Sequence, residues 1–246
     1  MSATRPAYIE RPGLLGTLRE LRTPLEGPKF LLRLSHLANA PRGDGRAIAL
    51  APGYLAGEFS LLPLAQFLRF LGYTVYPWGL GSNNGDVEED IGLFGARIQE
   101  LHNELDGEKI TLIGWSLGGV IAREVARQWD SCVAEVITLA TPIVGGPKYT
   151  ALGDFYAFQK GVDLDWIDQE VHERNKLGLN QPVTSVYSKS DGIVAWQASV
   201  DVYNPQARNV AINTTHIGIG VSPVAWRLIA DILAEEEKIT RAVAEA

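Results

Sequence analysis

The strongest chemical signal in this chain is Gly114-Trp115-Ser116-Leu117-Gly118, followed by a further glycine, Gly119. It lies between an apolar run, Ile110–Ile113, and a helical stripe of Val120, Ile121, Val125 and Trp129. A serine on a sharp strand-to-helix turn projects its hydroxyl clear of the backbone. Glycines on either side remove the Cβ atoms that would collide across such a turn. A hydroxyl is a weak nucleophile until a base takes its proton, so the pattern asks for a histidine held in one tautomer by a carboxylate. On a strand–turn–helix nucleophile those partners follow in chain order, the acid first and the histidine last.

Of the four histidines, His36 and His102 precede Ser116 and read as surface or packing residues. His172 stands among Asp168, Glu170, Glu173 and Arg174, as in an exposed helix or lid segment. His216, in Asn213-Thr214-Thr215-His216-Ile217-Gly218, falls between the last strand-like run and the last helical stripe, and is the candidate base. The candidate acid is Asp191 in Ser188-Lys189-Ser190-Asp191-Gly192, although Asp-Gly also forms plain turns. Asp201 is the reserve. Asp163, Asp165 and Asp168 are expected to face solvent, and no histidine spacing beside them suggests a metal. A tetrahedral intermediate needs two main-chain donors for its oxyanion. The amide of Leu117 is one. The other is the amide of Tyr54, in Ala51-Pro52-Gly53-Tyr54-Leu55-Ala56-Gly57; substrate contact through the Tyr54 hydroxyl is the alternative.

These residues need a scaffold that gathers them. Strand-like runs occur at residues 46–51, 74–78, 109–115, 133–139, 183–188 and 209–212, mostly continuously apolar, as in strands covered on both faces. Helical stripes lie between them: Ile91, Phe94, Ile98, Leu101 and Leu105, behind the acidic turn Asp86, Glu88, Glu89 and Asp90; and Ala225, Leu228, Ile229, Ile232 and Leu233. The alternation predicts an α/β fold, a mostly parallel sheet of about six strands with helices on both faces. Two regions stand outside it. Residues 142–181 form a long, aromatic, lid-like insertion with Tyr149, Phe155, Tyr156, Phe158 and Trp166. Residues 1–45 form an N-terminal extension with leucines at helical spacing: Leu14, Leu18, Leu21, Leu25, then Phe30, Leu34 and Leu37. The expectation is one or two helices packed on the core. Arg11, Arg19, Arg22 and Lys29 keep open a surface helix touching lipid or a partner.

Composition narrows the field. At 246 residues the chain suits one domain of the larger α/β kind, spanning 1–246. With 46% hydrophobic residues it is not of disordered composition, and its single cysteine, Cys132, leaves no internal disulfide and no cysteine-based zinc site. Twenty-two basic against 29 acidic residues, a net charge of −7, argue against nucleic acid as a partner. Residues 1–13, with Arg5 and Pro6, lack the apolar core of a signal peptide, and a cytoplasmic protein is expected.

Together, Pro52-Gly53-Tyr54, Gly114-Trp115-Ser116-Leu117-Gly118-Gly119, Ser190-Asp191-Gly192 and Thr215-His216-Ile217-Gly218 resemble the α/β-hydrolase superfamily, specifically its lipase-like serine esterases. The resemblance covers most of residues 46–238. It implies a Ser116–Asp191–His216 triad and hydrolysis through an acyl-enzyme; the expected substrate is a carboxylic ester of short to medium chain, with lipase activity if residues 142–181 act as a lid. It departs at Pro52, where many such lipases carry histidine before the glycine, and it leaves residues 1–45 unexplained. No metal or organic cofactor is implied. Trp115 and Trp196, with the aromatic insertion, are expected to shape an apolar acyl or alcohol pocket. The same machinery would serve a thioester, a lactone or acyl transfer to an alcohol, and a non-catalytic binding protein on this scaffold is the reading from another class.

Overall fold

Each continuous apolar run forms a strand: β1 (Ala47–Ala51), β2 (Thr74–Pro77), β3 (Ile110–Trp115), β4 (Val133–Leu139), β5 (Val183–Ser188) and β6 (Arg208–Ile212). The computed structural model describes residues 8–25, 27–28 and 32–244, by backbone alone at 14, 34 and 236–244. Of the residues singled out above, Arg5, Pro6, Lys29 and Phe30 lie outside the described residues, as do the side chains of Leu14 and Leu34. The main helices are α1 (Leu62–Leu71), α2 (Val87–Glu104), α3 (Leu117–Gln128), α4 (Gly153–Lys160), α5 (Leu164–Lys176) and α6 (Pro223–Ala244).

Side chains alternate between the faces of a strand, so a strand that is apolar throughout needs cover on both sides. It has that cover. Ile48, Leu50, Ile113 and Ile137 face α1 and α6, packing with Leu64, Leu68, Ile229 and Leu233. Ala47, Ala49, Leu112 and Val136 face α2 and α3, packing with Phe94, Ile98, Ile121 and Val125. The anticipated helical stripes are therefore the buried faces of α2, α3 and α6.

The sheet order is β2-β1-β3-β4-β5-β6, and every neighbouring pair is parallel. The chain leaves β1 in one direction, returns past it to β3, and then builds outward the other way. Open α/β sheets hold ligands beyond the carboxyl ends of the strands at such a reversal. Here Ala51 and Gly114 are aligned across the β1–β3 pair. The loop carrying Gly53 and Tyr54 and the turn carrying Ser116 thus start side by side. Since all strands run the same way, the loops after β5 and β6 open on that edge too.

The β4–β5 connection contains α4 and α5. The N-terminal leucines differ from expectation. Leu21 is 75% exposed, and Leu18 and Leu25 also point outward. Residues Leu18–Leu25 wind as a 3-10 helix, whose three-residue turn stacks positions 18 and 21 on one face. The polar face, with Glu20 and Thr23, is the one that meets the protein. Among the described residues of the stripe, Leu37 keeps the expected core packing and joins the cluster under α6. No helix among the described residues is long and apolar enough to cross a membrane.

Candidate active site

Ser116 closes β3 and caps α3 with φ 54° and ψ −121°. A non-glycine residue at positive φ is strained, and that strain lifts its side chain out of the turn. The Ser116 N–H donates to Leu139 O on β4 at 2.8 Å, and its carbonyl accepts from the Gly119 N–H at 3.0 Å. The glycines answer to contacts on either side. A Cβ at Gly118 would lie 2.2 Å from Ala51 O, and one at Gly53 would lie 3.2 Å from Ser116 Cβ. The β1 loop and the Ser116 turn are therefore closely packed, backbone against backbone.

The Leu117 amide heads α3, where the first N–H groups have no intrahelical acceptor and the helix dipole favours negative charge. The Tyr54 N–H has no acceptor among the described residues. Its loop is braced by Asn83, which is fully buried: Asn83 Nδ2 donates to Pro52 O at 2.8 Å, and Asn83 O accepts from the Leu55 N–H at 2.7 Å. Asn83 is a positioning group that the sequence motifs did not mark. The Tyr54 hydroxyl, the alternative contact, bonds Gln159 on α4.

His216 Nδ1 and Asp191 Oδ2 are 2.8 Å apart, both residues buried. Asp191 also does what an Asp-Gly turn suggests, since its Oδ1 accepts from the Ile193 and Val194 N–H groups at 2.8 and 2.7 Å. One oxygen fixes the loop and the other faces the imidazole. Trp115 Nε1 donates to His216 O at 3.2 Å, with the two rings 5.7 Å apart, which ties the histidine loop to the residue before Ser116. Burial pushes the His216 pKa down. The charge and hydrogen bond of Asp191, with the charge of Glu20, push it up, and the net position is above the ordinary histidine value. The Ser116 hydroxyl makes no hydrogen bond among the described residues, and it opens onto a cavity of about 470 Å³. Tyr54 and Leu117 line it, as do Pro142, Ile143, Leu152, Tyr156, Trp166 and Ile167 of the insertion.

A model of the PGAP1-like alpha/beta domain matches residues 94–229, the stretch that holds Ser116, Asp191 and His216. The chain belongs to this family. Solved structures share the fold of the PGAP1-like domain at low sequence identity. A lipase from Bacillus licheniformis, BlEst2, is 15% identical, with 79% of this chain and 94% of that one covered at a TM-score of 0.60. A monoacylglycerol lipase from Paleococcus ferrophilus is 17% identical, with 80% and 96% covered at 0.58. The mouse alpha/beta hydrolase domain-containing protein 10 is 17% identical, with 81% and 92% covered at 0.56. No curated protein matches the chain in sequence. The fold is the α/β-hydrolase fold, as the motifs implied.

The remaining polar candidates of the PGAP1-like domain have other occupations. Asp201 Oδ2 accepts from Arg123 Nη1 at 2.7 Å and Asn204 Nδ2 at 2.6 Å, so the reserve acid is engaged in a buried network away from His216. His172 Nδ1 lies 2.9 Å from the Tyr203 hydroxyl. His102 Nδ1 lies 2.9 Å from Glu108 O, and His36 is exposed. The acidic cluster is not wholly in solvent: Asp168 is buried, and Lys148 joins it at 2.8 Å and Asp165 at 2.7 Å. Among the described residues no group of three His, Cys, Asp or Glu side chains could hold a metal ion. Neither tryptophan singled out for substrate lines the cavity. Trp115 packs on the α6 side of the sheet and on His216, and Trp196 stacks on Tyr187 with ring centroids 5.6 Å apart. The aromatic walls come from Tyr54, Tyr156 and Trp166 instead.

The missed contributor is Glu20. Its Oε1 accepts from the Gly192 N–H at 2.9 Å and the His216 N–H at 3.0 Å, and its Oε2 from the Ile217 N–H at 2.9 Å. No local pattern marks it, because those contacts span 172 to 197 residues.

Proposed function

We propose that the protein is a serine carboxylesterase of the lipase-like kind, acting on esters with an apolar acyl chain of short to medium length. The observation that carries the reading is the 2.8 Å contact between His216 Nδ1 and Asp191 Oδ2, beside a strained serine whose hydroxyl opens on an apolar cavity. Ser116 Oγ attacks the ester carbonyl carbon while His216 Nε2 takes its proton. Asp191 holds Nδ1–H, fixing the tautomer, and stabilises the imidazolium. The negative oxygen is held by the Tyr54 amide on the loop after β1 and the Leu117 amide at the head of α3. The C–O bond to the alcohol then breaks, and His216 returns the proton to the leaving oxygen. Water, deprotonated by His216, attacks the acyl-enzyme; the acid leaves and Ser116 is restored. The Ser116–His216 hydrogen bond, not made in the resting protein, forms as substrate is held.

The cavity supports the substrate class. Its size is in the range of small-molecule sites, and apolar side chains dominate its wall. The insertion serves as its lid. Acyl transfer uses the same intermediate, and the partition between acid and new ester is read by adding an alcohol to the assay. The deciding experiment is labelling with a fluorophosphonate, then turnover of nitrophenyl esters of increasing chain length. The expected result is one label on Ser116 and a maximum at short or medium acyl chains. Ser116→Ala should abolish labelling and lower turnover by about 10⁶-fold. Residual turnover near that of the wild type would overturn the reading.

A further inference from the structure

The N-terminal segment has no role in the reaction just described, yet it reaches both loops that carry the acid and the base. Glu20 gathers three amide donors, from Gly192 on the acid loop and from His216 and Ile217 on the histidine loop. A carboxylate accepting several N–H bonds is held firmly, because each bond is charge-assisted. Two further contacts fix the segment in place. Thr23 Oγ1 and Thr215 Oγ1 are 2.7 Å apart. A Cβ at Gly192 would lie 2.4 Å from Gly16 O and 3.0 Å from Glu20 Oε1, so glycine there admits the segment.

We propose that Glu20 is a positioning residue for the hydrolysis, clamping the Asp191 and His216 loops to each other and setting a second negative charge near the imidazole. The proposal rests on the serine-hydrolase reading. Two consequences follow, and they are separable. The clamp keeps the imidazole in register with Asp191 and Ser116, which bears on turnover rather than on substrate affinity. The charge favours the imidazolium, as that of Asp191 does. The charged groups acting on His216 are Asp191 from the β5 loop and Glu20 from the N-terminal run; Trp115 from β3 and Thr23 are neutral.

The test uses the full chain with Glu20→Ala, Glu20→Gln and Glu20→Asp, and two readouts. One is kcat and KM for a nitrophenyl ester across pH. The other is the His216 imidazole followed by NMR titration in the resting protein, which needs no turnover. Glu20→Ala should lower kcat by about 10- to 100-fold with KM nearly unchanged. Glu20→Gln keeps the shape and one accepting oxygen but loses the charge and the second acceptor, and should move both the acid limb of kcat/KM and the imidazole titration to lower pH. Glu20→Asp retains the charge and should hold both near the wild-type position. Wild-type kcat and an unmoved imidazole pKa in Glu20→Gln and Glu20→Ala would overturn the proposal, as would a kcat loss that only tracks the folded fraction. A wild type that turns over no ester would overturn the hydrolase reading itself, an outcome distinct from active wild type with indifferent Glu20 variants.

Discussion

His216, the proposed base, is pulled two ways. Burial favours the neutral ring and the carboxylates favour the charged one, and the second effect wins. A base must be neutral to accept the serine proton, so kcat/KM should fall as pH drops through a midpoint above the ordinary histidine value of 6.5. Asp191→Asn should move that midpoint downward and lower kcat by about 10⁴-fold, because the asparagine neither fixes the tautomer nor stabilises the imidazolium. The same raised pKa has a stability consequence. The folded state holds the proton more tightly than the unfolded chain, so the contribution is fully present below 6.5 and is lost as pH rises through the folded-state value. Urea midpoints of wild type and His216→Gln should therefore differ most in favour of wild type at acid pH, and the gap should narrow on going alkaline. An equal gap throughout would contradict the assigned direction.

At the scale of elements, the insertion is fastened over the cavity by contacts to the start of α2. Lys160 on α4 pairs with Asp86 at 2.7 Å, and Arg174 on α5 pairs with Glu88 at 2.6 Å. Tyr156 donates its hydroxyl to Gly85 O at 3.1 Å, with burial pushing its pKa up to about 12, so it remains a donor at working pH. Ion pairs as exposed as Arg174–Glu88 contribute only about 0.2–1 kcal/mol and weaken with salt. Removing both pairs with Lys160→Ala and Arg174→Ala should hardly change global stability. It should speed amide exchange in residues 153–176 and leave the sheet untouched; unchanged exchange there would show that the pairs do not fasten the insertion. What could be read from sequence follows from the same physics. Strands β1, β3 and β4 were legible because burial on both faces demands continuous apolar runs, and the stripes of α2, α3 and α6 because their apolar faces repeat at helical period. The leucines at 18, 21 and 25 misled because periodicity reports that a face exists, not which face is buried. Trp115 and Trp196 misled because nearness in sequence to Ser116 and Asp191 does not make a cavity wall. Asn83 and Glu20 were invisible because their hydrogen bonds cross between distant segments.

At the scale of the whole molecule, one buried charge cluster joins three parts of the chain. Arg123 on α3 donates to Asp201, on the β5–β6 connection, at 2.7 Å and to Asn175 on α5 at 3.0 Å; Asn175 in turn donates to Ile143 O at 2.9 Å. Arg123 and Asn175 also line the cavity, so the cluster sets how the insertion sits against the core. Burial alone would push the Asp201 carboxyl up, but the charge of Arg123 and the bonds from Asn204, Arg123 and the Tyr203 amide hold it below the ordinary aspartate value. Such a lowered pKa contributes stability that is present above 3.8 and lost as pH falls through the folded-state value. Arg123→Met should reverse that sign, since it leaves a buried carboxylate without its cation and burial becomes the dominant influence. The expected loss is about 3–5 kcal/mol at neutral pH. It should shrink as the solution is acidified, because the protonated carboxyl no longer carries a buried charge. Adding Asp201→Asn to Arg123→Met should recover part of the neutral-pH loss and flatten the pH dependence. Denaturant midpoints of the two variants across pH test this directly. A double variant less stable than Arg123→Met at neutral pH would mean that Asp201 acts through its turn-forming hydrogen bonds and not through its charge.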